Sequence, residues 1–237
     1  MNITSAAFGR FTTCPYLYKL HDVEGIPITP TTKQLVGRIV RNIISVALTD
    51  GVKPKDLPKL TAKEAGVQFA QDIAYTDEEV KKGQRNAQEK TAATAGKLLQ
   101  VWSSAVAPRI APEVKVNVPF STEVGPHTLT GVIEIMEEGI RATRVRSRRP
   151  ADGEAADDLG LILQAWVSPA VTVDYLINSD PLGVARQTVE VGTNLRYMVK
   201  ERVNAMAEAV DAGVFTPTDP GGWKCKNCPL RKVCLYV

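Results

Sequence analysis

Four cysteines are the residues whose types and spacing most plainly indicate chemistry. The tail reads Cys225-Lys-Asn-Cys228-Pro-Leu-Arg-Lys-Val-Cys234. Two cysteines separated by two residues can direct both thiolates at one metal centre, and a third one turn later can complete three sides of a cage. The fourth ligand would be Cys14, the only other cysteine in the chain. The pattern predicts metal binding, and spacing alone leaves iron–sulfur and zinc both open.

The composition agrees with metal ligands better than with disulfides. The chain has 237 residues, 44% of them hydrophobic, and no apolar run long enough to cross a membrane. Its N-terminus lacks the layout of a signal peptide, so we expect an intracellular protein whose cysteines are metal ligands or reduced thiols. The formal net charge of +3 does not by itself announce a nucleic-acid binder, although a local basic patch is compatible with it.

The first half of the sequence is predicted to be mainly helical. Apolar residues recur at steps of three and four over residues 35–47, which predicts a helix ending near Asp50 and Gly51 with its apolar face on a sheet. A loop is predicted for residues 52–58, and helix formers then fill residues 65–74 and 77–106.

The second half is predicted to form most of the sheet. Alternation over residues 114–120 and 129–135, followed by a β-type run over 140–147, predicts a three-stranded meander. An acidic loop over 150–158 and a short apolar helix over 159–167 should follow. Strands are then predicted at 171–177 and 184–191, and an amphipathic helix at 193–212 with Leu195, Met198, Val199, Met206 and Val210 inside and Gly213 as its C-cap. The expected class is mixed α/β.

The cysteine frame resembles that of the iron–sulfur branch of the PD-(D/E)XK nucleases, which includes RecB-like, AddB-like and CRISPR-associated exonucleases. The similarity rests on Cys14-Pro-Tyr paired with the C-terminal cysteine cluster. It extends through weaker matches in family order: Gly37-Arg-Ile-Val-Arg41, Leu129-Thr-Gly131-Val-Ile-Glu134, Leu163-Gln164 and Gly213-Val-Phe-Thr-Pro217.

The resemblance implies a restriction-endonuclease-like central sheet flanked by helices, forming one domain over residues 1–237. Residues 51–108 would be a helical insertion, and residues 214–237 with Cys14 would form the cluster region. In that family the cysteines hold a [4Fe-4S] cluster, so the resemblance favours iron–sulfur over zinc. The cluster would staple the two ends of the chain, a constraint of about 4 to 5 kcal/mol by analogy with a disulfide closing a long loop.

The family's cleavage residues are largely replaced in this sequence. Alignment puts Arg41 at the family's His and Glu134 at its Asp. Arg144 and Arg146 fall on the acid and Lys of its acid-x-Lys motif, and Gln164 and Ser168 fall on its Gln-x-x-x-Tyr pair. Only Glu134 and Gln164 keep suitable chemistry, because an arginine reverses the charge at a metal-ligating position and cannot serve as a base. Hydrolysis should be absent or very slow, and Mg²⁺ or Mn²⁺ would be needed only by an active enzyme.

The arginines suggest what replaced the cleavage site. Arg144, Arg146 and Arg148 lie at period two, with Arg41 expected nearby, so they could hold the phosphates of DNA or RNA without a metal. The alternative is a solvated strand face, or arginines paired with the acids of the 150s loop or of a partner subunit. A rival acid-x-Lys tripeptide, Glu113-Val114-Lys115, lies before the Glu134 strand rather than after it.

The hypothesis from sequence is therefore a catalytically degenerate, iron–sulfur nuclease-fold protein that acts as a nucleic-acid-binding or assembly module. Its partners would be DNA and other proteins of a larger nucleoprotein, recombination or viral assembly, which leaves association with a virion open. Two alternatives remain: a working metal-dependent DNA nuclease that uses Glu134, and a purely structural subunit with no nucleic-acid contact.

Overall fold

The computed structural model describes residues 1–158, 163–220, 222, 225 and 228–236. Within them, a six-stranded mixed sheet is flanked by helices, so the predicted mixed α/β class is confirmed. The strands are β1 Asn2–Thr4, β2 Lys115–Val124, β3 His127–Met136, β4 Ile140–Arg146, β5 Ala170–Ile177 and β6 Gly183–Glu190. The α-helices are α1 Ser5–Thr13, α2 Pro15–Tyr18, α3 Thr32–Asp50, α4 Leu57–Gln68, α5 Asp77–Lys82, α6 Gln84–Ala105, α7 Glu154–Asp157 and α8 Thr193–Ala212.

The sheet is built around β3. Strand β2 pairs with β3 along its whole length, antiparallel, while β1 and β4 pair with opposite ends of β3. Strand β5 runs parallel to β4, and β6 closes the sheet antiparallel to β5. The predicted meander of β2, β3 and β4 is confirmed, as are the two later strands. The short parallel strand β1 was not predicted, because three residues are too few to show a period and its pairing is non-local.

Helices α3 and α6 cover one face of the sheet. Helix α3 begins with a capping box, in which Thr31 and Gln34 exchange hydrogen bonds, and it ends at Gly51 in the left-handed conformation, as predicted. Its apolar side packs with α4, α6 and the sheet in one buried cluster that includes Trp102. That packing holds Arg41, on the polar side of α3, beside the strands.

The helices over residues 51–108 form with bounds that differ from the prediction. Helix α4 begins at Leu57, inside the predicted loop, because Pro58 in its first turn needs no backbone partner, and it ends at Gln68 rather than near residue 74. The predicted helix over 77–106 is interrupted at Gly83, whose φ of 87° no helix accommodates.

Helix α8 matches its predicted bounds and packs against the N-terminal elements. Its buried positions are Val199, Val203, Met206 and Ala207, whereas Met198 is 50% exposed, so the prediction that Met198 lies inside was wrong. From Val199 the buried stripe advances by four residues to Val203 and by three or four more to Met206 and Ala207, which leaves residue 198 one position off the apolar face.

The predicted apolar helix over 159–167 falls partly outside the described residues. Gln164–Val167 form a 3-10 turn, and residues 159–162 are not described. No helix in the described part of the chain combines the length and apolar character needed to cross a bilayer.

Candidate metal centre and the arginine–glutamate site

Cys14 lies at the junction of two helices. Its backbone is extended, its N–H donates to the carbonyl of Arg10 at 2.9 Å to close α1, and Pro15 begins α2. Proline tolerates this first helical position because its missing N–H would have no partner there. The helix break therefore fixes Cys14 where its side chain is partly buried.

The C-terminal segment returns to this junction. The hydroxyl of Thr218 donates to the carbonyl of Thr13 at 3.0 Å, across 205 positions of sequence. Tyr236 meets the ring of Tyr16 edge to face, with 4.8 Å between centroids. Leu230 is buried in the hydrophobic cluster formed with Tyr16, Leu17 and Leu20. The two ends of the chain thus share one small core.

The cysteines gather at that core. Cys14, Cys228 and Cys234 are partly buried against the same cluster, and Cys225 is buried. A turn links the first two of the tail, because the N–H of Cys228 donates to the carbonyl of Cys225 at 3.1 Å. No two of the four form a disulfide. The structure therefore packs Cys14 against the same cluster as Cys228 and Cys234, which lie more than 200 residues away in sequence.

Cys228 lies within electrostatic reach of the other three cysteines. Burial raises the pKa of the Cys228 thiol, and the charges of Cys14, Cys234 and Cys225 raise it further, against a hydrogen bond from the backbone of Leu230 that lowers it. By number and donor type the four cysteines, all of them described residues, match a tetrathiolate site. In the part of the chain that is described, no three His, Cys, Asp or Glu side chains are arranged so that they could hold a metal ion.

A second site forms where β3 and β4 separate. The two strands pair only through Ile135 with Arg141 and Met136 with Ile140. Beyond that point the carboxylate of Glu134 spans the gap, and its Oε2 accepts a hydrogen bond from the backbone N–H of Thr143 at 2.9 Å. The side chain of Glu134 thus replaces a rung of the β ladder.

Two arginines meet the other oxygen of Glu134. Arg144 donates from Nη1 to Oε1 at 2.8 Å, and Nε of Arg41 lies 3.7 Å from the same atom. Burial lowers the pKa of Arg144, but the charges of Glu134 and Asp158 outweigh burial and raise it above its usual value. The pKa of Arg41 is lowered, because burial and the charges of Arg144 and Arg38 outweigh Glu134. Arg41, Glu134 and Arg144 therefore converge at one point. Glu134 balances the positive charge of Arg41 only in part.

The outer arginines pair with the acidic loop. Arg144 also reaches Asp158 at 3.5 Å, while Arg146 and Arg148 lie 3.5 Å and 3.8 Å from the carboxylate of Glu154. This is the arrangement that the sequence offered as the alternative to phosphate binding. The pairs are loose, with Arg148 76% exposed, so each contributes little to stability.

None of the remaining predicted residues is among the described residues that line the pocket beside Glu134. Gln164 is buried in its 3-10 turn, and its Oε1 has no partner among the described residues. Ser168 donates to the carbonyl of Ala170. Glu113 and Lys115 are exposed, and neither lines the pocket beside Glu134. The rival acid-x-Lys tripeptide therefore gains no support from its position.

That pocket has a volume of about 430 Å³ and includes a residue that sequence reasoning missed. Asn117 lies on β2 between Val116 and Val118, which pair with Ile135 and Ile133 on either side of Glu134. It has a φ of 53° and donates from Nδ2 to the hydroxyl of Ser45 at 2.7 Å. Left-handed backbone outside glycine is uncommon and is best tolerated by Asn and Asp. The sequence did carry one signal that could have identified Asn117: it is an asparagine within a Val-rich strand, and asparagine is depleted in strands.

No protein-family model matches the chain. No curated protein matches it either. Among solved structures, it is similar to the crystal structure of SSO0001, with 12% sequence identity and a TM-score of 0.40 over 75% of this chain and 96% of that one. A likeness of this degree carries no functional conclusion.

Proposed function

We propose that this chain is a non-cleaving iron–sulfur protein of nuclease-like fold that serves as a nucleic-acid-binding or assembly module. The observation that carries the proposal is the engagement of Glu134 by Arg144, Arg41 and the backbone of Thr143. A metal-dependent nuclease needs its carboxylates free for a divalent ion. Here the carboxylate that aligns with the family's Asp is a structural acceptor between two strands.

The arginines also remove the rest of the hydrolytic machinery. An arginine at 144 supplies a cation where the chemistry requires a second carboxylate, and its raised pKa keeps it charged. An arginine at 146, paired with Glu154, cannot take a proton from water. Cleavage by this site should therefore be absent, because neither a metal ion nor an activated water has the groups to hold it.

The four cysteines would hold a [4Fe-4S] cluster, with zinc as the runner-up. Cys14, Cys225, Cys228 and Cys234 would each supply one thiolate, and a cluster would contribute binding free energy and offset the repulsion between the sulfurs. Its main role would be to join the N-terminal helices to the C-terminal segment. The hydrogen bond from Thr218 to Thr13 supports this role, because it ties the same two segments.

A purely structural subunit is the second candidate. It is favoured by the pairing of Arg146 and Arg148 with Glu154, which engages two of the arginines expected to hold phosphates. Salt-dependent binding to nucleic acid separates the two candidates, because phosphate contacts weaken steeply as salt rises.

The test uses anaerobically purified, cluster-loaded protein incubated with DNA and either Mg²⁺ or Mn²⁺. We expect no cleavage, together with binding that weakens with salt. Cleavage that disappears in a Glu134→Ala variant would overturn the proposal in favour of an active nuclease. Absence of any binding at low salt would leave the structural subunit.

A further inference from the structure

A groove lies between the N-terminal end of α3, helices α5 and α6, and the cysteine segment. Two adjoining cavities form it, one of about 1070 Å³ that reaches Cys228 and one of about 430 Å³ that reaches Arg146 on β4. The two cavities share five lining residues, Thr32, Lys33, Glu79, Ala87 and Lys90. The groove is thus continuous from the cysteine segment to the end of the sheet.

The groove concentrates positive charge. Among the described residues that line it, six side chains are cationic and two are acidic, namely Lys33, Lys82, Lys90, Arg146, Arg231 and Lys232 against Glu78 and Glu79. That is a formal charge of +4, more than the +3 of the whole chain. Focusing of one sign of charge in a cleft attracts a counter-charged ligand.

The acids of the groove are already engaged. Glu78 pairs with Lys82, and Glu79 accepts hydrogen bonds from the hydroxyl of Thr32 at 2.6 Å and from the backbone N–H of Thr76 at 2.8 Å. The exposed cations Lys33, Lys90, Arg231 and Lys232 form no ion pair within the described residues. These four side chains therefore carry the positive charge of the groove that is not paired with a carboxylate.

The uncharged lining fits phosphate rather than a base. It consists largely of threonine hydroxyls and side-chain amides, with Thr29, Thr31, Thr91, Gln34, Asn86 and Asn178 among them. Hydroxyl and amide groups commonly bind phosphate oxygens and sugars. Among the described residues that line the groove, none is an aromatic side chain on which a base could stack.

We propose that this groove, rather than the Arg144–Arg148 cluster, binds the phosphate backbone of a nucleic acid strand without regard to sequence. The inference rests on the proposed function and assigns its surface. The arginines of β4 are held by Glu134, Asp158 and Glu154, whereas the four groove cations are available to a polyanion. Two of these four, Arg231 and Lys232, lie on the turn between Cys228 and Cys234, so the proposed cluster would set their position.

The test replaces the four groove cations together by glutamine: Lys33→Gln, Lys90→Gln, Arg231→Gln and Lys232→Gln. The matched control removes the same charge from exposed lysines outside the groove: Lys53→Gln, Lys55→Gln, Lys59→Gln and Lys63→Gln. Binding of a labelled single-stranded oligonucleotide is measured by fluorescence anisotropy across a salt series. Iron content and melting temperature verify that both variants are folded and loaded.

We expect the groove variant to lose about 3 units of the slope of log affinity against log salt, since each strand phosphate contact contributes about 0.7. Its affinity at low salt should fall by at least about tenfold, with the control close to wild type. If both variants lost affinity equally, or if the groove variant bound the oligonucleotide as tightly as wild type, the groove would not be the binding surface. The proposed function would still stand in either case. Wild-type protein that binds no oligonucleotide would defeat both, as would groove-dependent binding to anionic vesicles alone.

Discussion

Replacing Glu134 by glutamine removes one negative charge from the point where two arginines and a backbone N–H converge. In a working metal site, ligand carboxylates repel one another until the ion binds, so removing one leaves the metal-free protein as stable or more stable. Here the carboxylate already has cationic partners within the chain. We therefore expect Glu134→Gln to destabilise the protein.

The magnitude follows from the two hydrogen bonds to Glu134. Bonds to a charged group contribute about 1.5–3 kcal/mol and neutral bonds about 0.5–1.5 kcal/mol, so loss of the charge costs about 1 kcal/mol for each bond. Arg144 and Thr143 each donate one, which gives about 2 kcal/mol. Arg41 adds little, because its 3.7 Å pair is partly exposed. For a chain of this size the melting temperature should fall by about 4–8 °C.

The assay is thermal and urea unfolding of cluster-loaded protein, with and without Mg²⁺. Glu89→Gln is the control, because Glu89 pairs with Arg85 on an exposed helix surface and its loss should cost at most about 0.5 kcal/mol. A double variant with Arg144→Gln should cost less than the sum of the two single changes, because the two side chains share one interaction.

Two results would refute the reasoning. One is a Glu134→Gln variant that melts at the wild-type temperature or above it. The other is a wild-type protein that Mg²⁺ stabilises through Glu134, since a ligand that binds only the folded state raises its stability. Either would mean that Glu134 is a metal ligand rather than an acceptor for arginine.

The cluster proposal predicts that Cys14→Ser lowers the iron content and visible absorbance of anaerobic preparations; unchanged iron would exclude Cys14 as a ligand. Asp174 is fully buried and accepts from Arg141 at 2.7 Å, so Asp174→Asn should cost about 3 kcal/mol in urea unfolding, and a cost below 1 kcal/mol would contradict that role. A Cβ at Gly131 would lie 2.5 Å from the hydroxyl oxygen of Ser5, so Gly131→Ala should cost about 1–3 kcal/mol, and Gly131→Ala with Ser5→Gly should recover part of that loss.

The elements with a sustained period could be predicted from sequence. Helix α3 shows its apolar stripe over five turns and stops at Gly51, and α8 stops at Gly213, so local chemistry determines both ends. Strand β1 could not be predicted, because its three residues form a strand only by pairing with distant Thr128, Leu129 and Thr130. Helix α4 was misplaced because proline indicates both a loop and a helix start.

The functional sites, like the elements, could be predicted from sequence only in part. The resemblance to the PD-(D/E)XK nucleases implied that Arg41, Glu134 and Arg144 lie close together, but the sequence could not decide whether the arginines face solvent or acids. That choice depends on the path of the loop carrying Glu154 and Asp158, which no periodicity encodes. The groove escaped sequence reasoning because Lys33, Lys90 and Arg231 come from three distant segments.

The meeting of Cys14 with the tail also bears on the order of biosynthesis. The proposed ligand set is complete only when Cys234 has left the ribosome, by which time the whole sheet has been translated. Insertion of the proposed cofactor would therefore follow translation of all six strands. Cells short of iron should then accumulate chains with an assembled sheet, in which contacts such as the Tyr236–Tyr16 pair hold the C-terminal segment without help from a cofactor.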